Sequence, residues 1–380
     1  MGSAEKGELE TSTDTCGSNH CIYNWIRFCN RSGNHSILYS IWSKRITCNF
    51  GIPGSFSYYN FNFAKAGAEQ KFEKGNDVYK HFCGKYVGTF CDYYSTLFCY
   101  MSFFVMVGGA SSTLHQEYGL PAWVGGVVLT ALAVITVVGG LNSMVDAIGA
   151  VGPVIVVLCI AIGVITLIRD GGDVGAGLDI IKNAAYEGAA NGETIKSAGS
   201  NWLVSGLSYA GFVLLWFASF TAALGSNNKK KELIMVLSVE TVAVCVAIAV
   251  VMFAQISNIN TPMIGSSDTF VWNADIPNLI LAAKIWKPFS AIFAIIVFAG
   301  IYTTAVPLLY NPASRFAKEG TSQFKILTIV LGVLGLIVGL FLPFRVLVNI
   351  IYVLNGYVGA VLILFMIYKN IKDLMNKRSN

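Results

Sequence analysis

Thr303 and Thr304 stand side by side inside an apolar run, with Gly300 one turn before them. Two hydroxyls and a neighbouring carbonyl can supply oxygen ligands to a small hard cation, which prefers such donors. The same hydroxyls can instead bond the carbonyl one helical turn back, as Thr does in membrane helices, and the residue types allow both. A second group, Ser205, Gly206, Ser208, Tyr209 and Gly211, interrupts another apolar run. Small and hydroxyl-bearing residues there permit either a local break, whose freed N–H and C=O groups a ligand can satisfy, or close helix packing. Tyr209 could gate or line a cavity. Glu240 lies deep in a third run, where a charge costs roughly 2.5 kcal/mol or more unless it faces protein or water. It is a candidate proton carrier, with a paired or hydrogen-bonded structural carboxyl as the alternative. Asp146 reads as a solvated or capping residue in a short connection, and Lys284 and Lys287 around Trp286 as interfacial anchors. His115 and Glu117 make a short external turn without the His-Glu-x-x-His spacing of a zinc hydrolase. With neither His pairs nor paired intramembrane carboxylates, the chain carries no catalytic cluster and reads as a non-enzyme without a metal centre.

These residues must be positioned by membrane-spanning helices. Of 380 residues, 54% are hydrophobic and 12% charged, against roughly a quarter charged in soluble domains. From residue 87 onward, runs of about 20 apolar residues recur, each long enough to cross a hydrocarbon layer of roughly 30 Å. The expected spans are 87–112, 121–141, 147–168, 202–224, 232–256, 285–309, 324–342 and 346–368. Lys and Arg are retained on the cytoplasmic side. They cluster before the first span (Lys65, Lys71, Lys74, Lys80, Lys85), after the fourth (Lys229, Lys230, Lys231), after the sixth (Arg315, Lys318, Lys325) and in the tail 369–380 (Lys369, Lys372, Lys377, Arg378). Connections 113–120 and 257–283 have none. The alternation predicts a cytoplasmic C-terminus and a cytoplasmic connection over 65–86. The formal charge of +5 comes from these clusters and reports orientation rather than a nucleic-acid groove. The partners expected are the lipid bilayer and a small molecule. In the external connection 169–201, the amphipathic stretch Leu178 to Tyr186 fits either the membrane surface or a polar cap.

Residues 1–64 break this pattern. They hold Cys16, Cys21, Cys29 and Cys48 at spacings of 5, 8 and 19, without the paired C-x-x-C unit of a zinc site, and show no helical or strand period. Back-translation offers an account. Trp25 has the single codon TGG; read from its second base before an Ile codon beginning in A, it gives GGA, glycine. The same frame can then spell GLGFATGQEIIQ through Ser36, VVAIIAFITG from Cys16, and QKGLLAILAFLVALAITTLTLL from Ser43 to about Phe63. Two apolar spans joined by a short polar hairpin emerge. The reading is a +1 frame error, with the true frame resuming between Ala64 and Lys74. Residues 1–64 are then expected to be irregular.

The shifted string GFATGQE, with Cys83-Gly84-Lys85-Tyr86-Val87-Gly88, Gly119-Leu120-Pro121 and Tyr302-Thr303-Thr304-Ala305, resembles the YkvI-type bacterial membrane proteins, relatives of the amino acid, polyamine and organocation transporters. The resemblance covers nearly the whole chain from about residue 71. It implies an all-α polytopic membrane protein with a LeuT-like five-plus-five inverted repeat, eight helices being written and two lost to the frame error. It also implies a secondary transporter in the cell membrane, carrying a small organic solute such as an amino acid by alternating access with Na+ or H+ coupling. The substrate would bind at the broken helix, with Ser205, Gly206, Ser208, Tyr209 and Gly211 in its second-repeat copy. Gly300, Thr303 and Thr304 would form half of a sodium site, with Na+ as coupling ion and no other cofactor. A non-transporting sensor or scaffold, or an inactive product of the shifted gene, is the alternative.

Overall fold

A computed structural model describes residues 47–72, 75–139, 142–169, 173–189, 211, 214–215, 218–219, 221–222, 225–226, 230–342 and 344–379. Among these residues the elements are α1 (Thr47–Gln70), α2 (Asp77–Tyr118), α3 (Ala122–Gly139), α4 (Asn142–Arg169), α5 (Val174–Lys182), α6 (Lys230–Ser257), α7 (Pro277–Ile285), α8 (Lys287–Phe316), α9 (Ser322–Phe341) and α10 (Phe344–Ser379). The described residues between 211 and 226 are helical too. Extended pairing among the described residues is limited to one bridge, Pro262 to Phe270.

The chain is an all-α polytopic membrane protein. Asp77–Tyr118, Ala122–Gly139, Lys287–Phe316, Ser322–Phe341 and Leu354–Asn376 are long and apolar enough to cross a bilayer, and Val154–Arg169 with Val174–Lys182, bent by 96° at their break, pass the same test as a pair. In lipid a helix must satisfy its own main-chain groups, so element ends carry caps. Asp173 accepts the Ala176 N–H at the start of α5, Thr321 accepts that of Phe324 at the start of α9, and Pro288 lies in the first turn of α8, where no N–H is needed.

Two compact units are distinguished among the described residues: Tyr100–Ser197 with Ala243–Asn349, and Ser40–Cys99 with Ala198–Val242 and Ile350–Asn380. In the first, α8 packs against α3, α4, α7 and α9. Its apolar stretch is 61% buried, against 28% for α9, so α8 is the central helix and α9 faces lipid. One end of this unit is closed by a cap. Ile181 and Tyr186 bury themselves against Met252, Ile256, Ile259, Phe270 and Trp272, and the Trp272 indole donates to the Glu187 carbonyl at 2.9 Å. The amphipathic stretch after Leu178 is therefore part of a protein cap rather than laid on lipid.

The second unit corrects the expected ends. Residues 47–64, read as irregular, lie largely in α1, where Tyr59, Asn60, Phe63 and Ala64 are buried. Phe63 stacks edge-on against Phe82 at 5.7 Å, so the aromatic residues of this stretch supply a packing face despite its weak periodicity. The connection 65–86 is also largely helical: α1 runs to Gln70, and α2 starts at Asp77 and turns at Gly84 (φ 73°, ψ −178°), a conformation open only to glycine. Residues 1–46, including Cys16, Cys21 and Cys29, lie outside the described residues. Asp146 belongs to α4, beyond its first turn, rather than to a connection, because the helix begins at Asn142.

Candidate functional site

Thr303 and Thr304 are both buried in the middle of α8, 2% and 0% exposed. Each hydroxyl donates to the Gly300 carbonyl, at 2.9 and 3.1 Å. A carbonyl oxygen has two lone pairs, so this oxygen, expected to help hold a cation, is engaged by the two threonines themselves. A hydroxyl that donates still presents oxygen lone pairs, and any ion ligation here falls to the two side-chain oxygens. Close by in sequence, Tyr302 shares a 2.6 Å hydrogen bond with Thr136 on α3, which fixes the rotation of α8 against its neighbour.

Of the second constellation, Gly211 is described; Ser205, Gly206, Ser208 and Tyr209 lie outside the described residues. A Cβ on Gly211 would fall 2.2 Å from the Gly356 carbonyl oxygen, and one on Gly359 would fall 1.8 Å from the Gly211 carbonyl oxygen. The two backbones meet directly, so Gly211 acts as a packing residue at a crossing with α10, and its open face is filled by main chain. Glu240 lies in α6; its side chain is outside the described residues.

Several polar groups that hydropathy passed over are buried. Asp92, inside the expected span 87–112, is 4% exposed and accepts the Asn76 amide at 2.7 Å. Two residues of the short arm before Gly84 thus return onto the unit: Tyr79, wholly buried, donates its hydroxyl to the Leu215 carbonyl at 3.0 Å. Gly84 was the signal, since a glycine at the edge of an apolar run marks where the chain can fold back. Asn355, in the first third of α10, is fully buried.

At the same end of the first unit as the cap, polar bonds tie the end of α2 to α7 and α8. Ser112 donates to the Asp275 carboxylate. Gln116 both donates to and accepts from the main chain of Ile276, at 3.0 and 2.8 Å. Glu117 takes Lys287 at 3.0 Å and Ser290 at 2.7 Å, and Lys284 donates to Asn258 at 2.6 Å. The lysines read as anchors therefore also act as ties, and Glu117 is a partner rather than a free turn residue. Among the described residues no group of His, Cys, Asp and Glu is arranged to hold a metal ion.

The arrangement is the LeuT-type transporter fold, built on a five-plus-five inverted repeat. The chain is similar to MhsT, solved in complex with L-phenylalanine, with a TM-score of 0.57 and 14% identity over 88% of this chain and 78% of that one. It is also similar to Mhp1 in an inward-facing conformation, with a TM-score of 0.54 and 14% identity over 91% and 75% of the two chains. No protein-family model matches the sequence, and comparison with curated protein sequences gives no match.

Proposed function

We propose that this chain is a secondary transporter of a small organic solute, an amino acid being the favoured class, working by alternating access with Na+ or H+ coupling. The observation that carries the reading is a fold shared along about nine-tenths of the chain with MhsT, which holds L-phenylalanine, and with Mhp1. In such folds substrate and ion bind near the bilayer midplane, where broken helices free main-chain groups. We assign the ion to the Thr303 and Thr304 oxygens, the substrate to Ser205, Gly206, Ser208 and Tyr209, with Gly211 beside them packing against α10, and a proton-carrying role to Glu240 if coupling is to H+. The YkvI-type relationship, the cell membrane and the cytoplasmic C-terminus belong to the same proposal.

Uptake of radiolabelled L-phenylalanine and a panel of other L-amino acids into proteoliposomes tests it, using both the written chain and one with the +1 frame repaired. Uptake above empty liposomes is expected, at least for the repaired chain. With Na+ coupling, Thr303→Ala and Thr304→Ala should each weaken apparent Na+ affinity about tenfold, in line with the loss of one hard oxygen ligand. Uptake indifferent to Na+ in parent and variants alike would remove the sodium site. A second reading rests on residues 1–64: if their frame is shifted, the written chain lacks the first broken helix and is an inactive product. Uptake by the repaired chain alone would favour it, and binding without flux by both would favour a sensor or scaffold.

A further inference from the structure

The exposed apolar residues of α10 fall at a fixed interval. Ile350, Leu354, Tyr357 and Val361 are each at least half exposed, and Leu364, Tyr368, Ile371 and Met375 continue the row at 52–66% exposure. Steps of four and three residues alternate along the whole row, the spacing of the a and d positions of a heptad. From 354 to 366 every other position is buried or half-buried, so the row there is one residue wide. A helix that meets only lipid looks different. α9 exposes Ile329 with Val330, Val333 with Leu334, and Ile337, a broad apolar face without a strict repeat of seven. A straight helix of 3.6 residues per turn drifts away from such a repeat, which is kept where a second helix winds along it.

Lipid also cannot cover the whole row. α10 runs for 36 residues, Phe344–Ser379, about 54 Å at 1.5 Å per residue, against a hydrocarbon core of about 30 Å. The excess lies at the C-terminal end, where Lys369, Lys372 and Asp373 stand among Tyr368, Ile371 and Met375. Asn370 holds this tail to α1, donating to the Tyr58 hydroxyl and the Asn62 side-chain oxygen, both at 2.8 Å; the helix from Ile350 on and α1 belong to one compact unit. Lys369 and Asp373 pair at 3.8 Å on the same side as Asn370. The row lies roughly 130° round the helix from Asn370, open to water in a single copy.

We infer that this row is the seam of a parallel pair of α10 helices from two copies of the chain. Two copies inserted in one bilayer share an orientation, so their α10 helices run parallel, and a two-fold axis along the membrane normal sets each seam residue against its counterpart. The eight side chains offer roughly 800 Å² per copy, the per-partner area of a stable interface. Inside lipid the seam contributes close packing; in the tail it removes apolar surface from water. Lys372, the position after Ile371, faces Ile367 of the second copy in such a pair, so like charges do not oppose each other. The pairing is separate from the transport reading, and its failure would leave that reading untouched.

Oxidative cross-linking of the full chain in native membranes tests the seam, with product counted above the background of the parent's own cysteines. Leu364→Cys and Ile371→Cys should give a covalent product at twice the mass of one chain. Asp373→Cys, in the same tail but on the opposite face, should give less than a tenth as much. Adding Tyr368→Glu and Met375→Glu to Ile371→Cys should reduce its product at least tenfold, while expression and monodisperse elution match those of Ile371→Cys alone, since both side chains are exposed in one copy. Equal product at 371 and 373 would mark random collision and overturn the seam, as would no product at 364 and 371. A benzophenone side chain at position 371 should label a second copy; labelling of lipid or of residues 1–46 of its own chain instead would overturn the pairing.

Discussion

Thr304 and Asn60 illustrate how differently a protein interior treats two polar side chains. The threonine hydroxyl finds a carbonyl on its own helix at 3.1 Å and costs little. Asn60 is 2% exposed; its oxygen accepts from Thr221 at 3.3 Å, yet its amide nitrogen is buried without an acceptor among the described residues. Asn60→Thr removes the orphan donor and keeps an oxygen for Thr221. It should stabilise the protein by about 1 kcal/mol, read as a raised melting temperature in detergent; a lowered one would show that the amide has a partner. Asp92 and Asn355 escaped the sequence reading because a single polar residue barely lowers the hydropathy of a long run. What isolates them is three-dimensional: Asn76 reaches Asp92 through a fold-back at Gly84, and the Asn355 oxygen is stranded by the direction of its own amide.

At the level of elements, the apolar stretches of α2, α3, α8 and α9 were legible because lipid demands about 20 apolar residues per crossing. Helix ends and non-spanning helices were not, since they answer to local contacts rather than to the bilayer. The start of α2 at Asp77 and the helical course of α1 fall in stretches too polar for a hydropathy window, and α7, apolar but nine residues long, is too short for one. Two glycines separate local conformation from packing. Gly84 has φ 73° with nothing within 4 Å of a would-be Cβ, whereas a Cβ on Gly359 would strike the Gly211 main chain. Gly84→Ala should cost about 1–2 kcal/mol through its backbone alone. Gly359→Ala forces two helices apart and should cost more, about 3 kcal/mol, within the range for overpacking a tight contact. Size-exclusion yield and detergent melting of the two variants check the order; equal losses would mean that the crossing yields easily.

For the whole molecule, orientation follows from charge. Lys372→Cys on the tail of α10 should react with a membrane-impermeant maleimide only when the cytoplasmic face is opened, and Asp268→Cys in the connection 257–276 should react in intact cells. The reverse pattern would invert the topology and exchange the two faces of every site discussed above.

The cap of the first unit has a practical use. Residues 259–272 are held by main-chain bonds such as Trp272 to Ile259 at 3.0 Å and Val271 to Thr261 at 3.0 Å, and by the Tyr186 and Trp272 rings, packed at a tilt of 32° with centroids 5.1 Å apart. An antibody fragment raised against this surface would grip a rigid epitope. Such a rigid handle is what a small helical membrane protein, with little mass beyond its micelle, needs for particle alignment in electron cryomicroscopy.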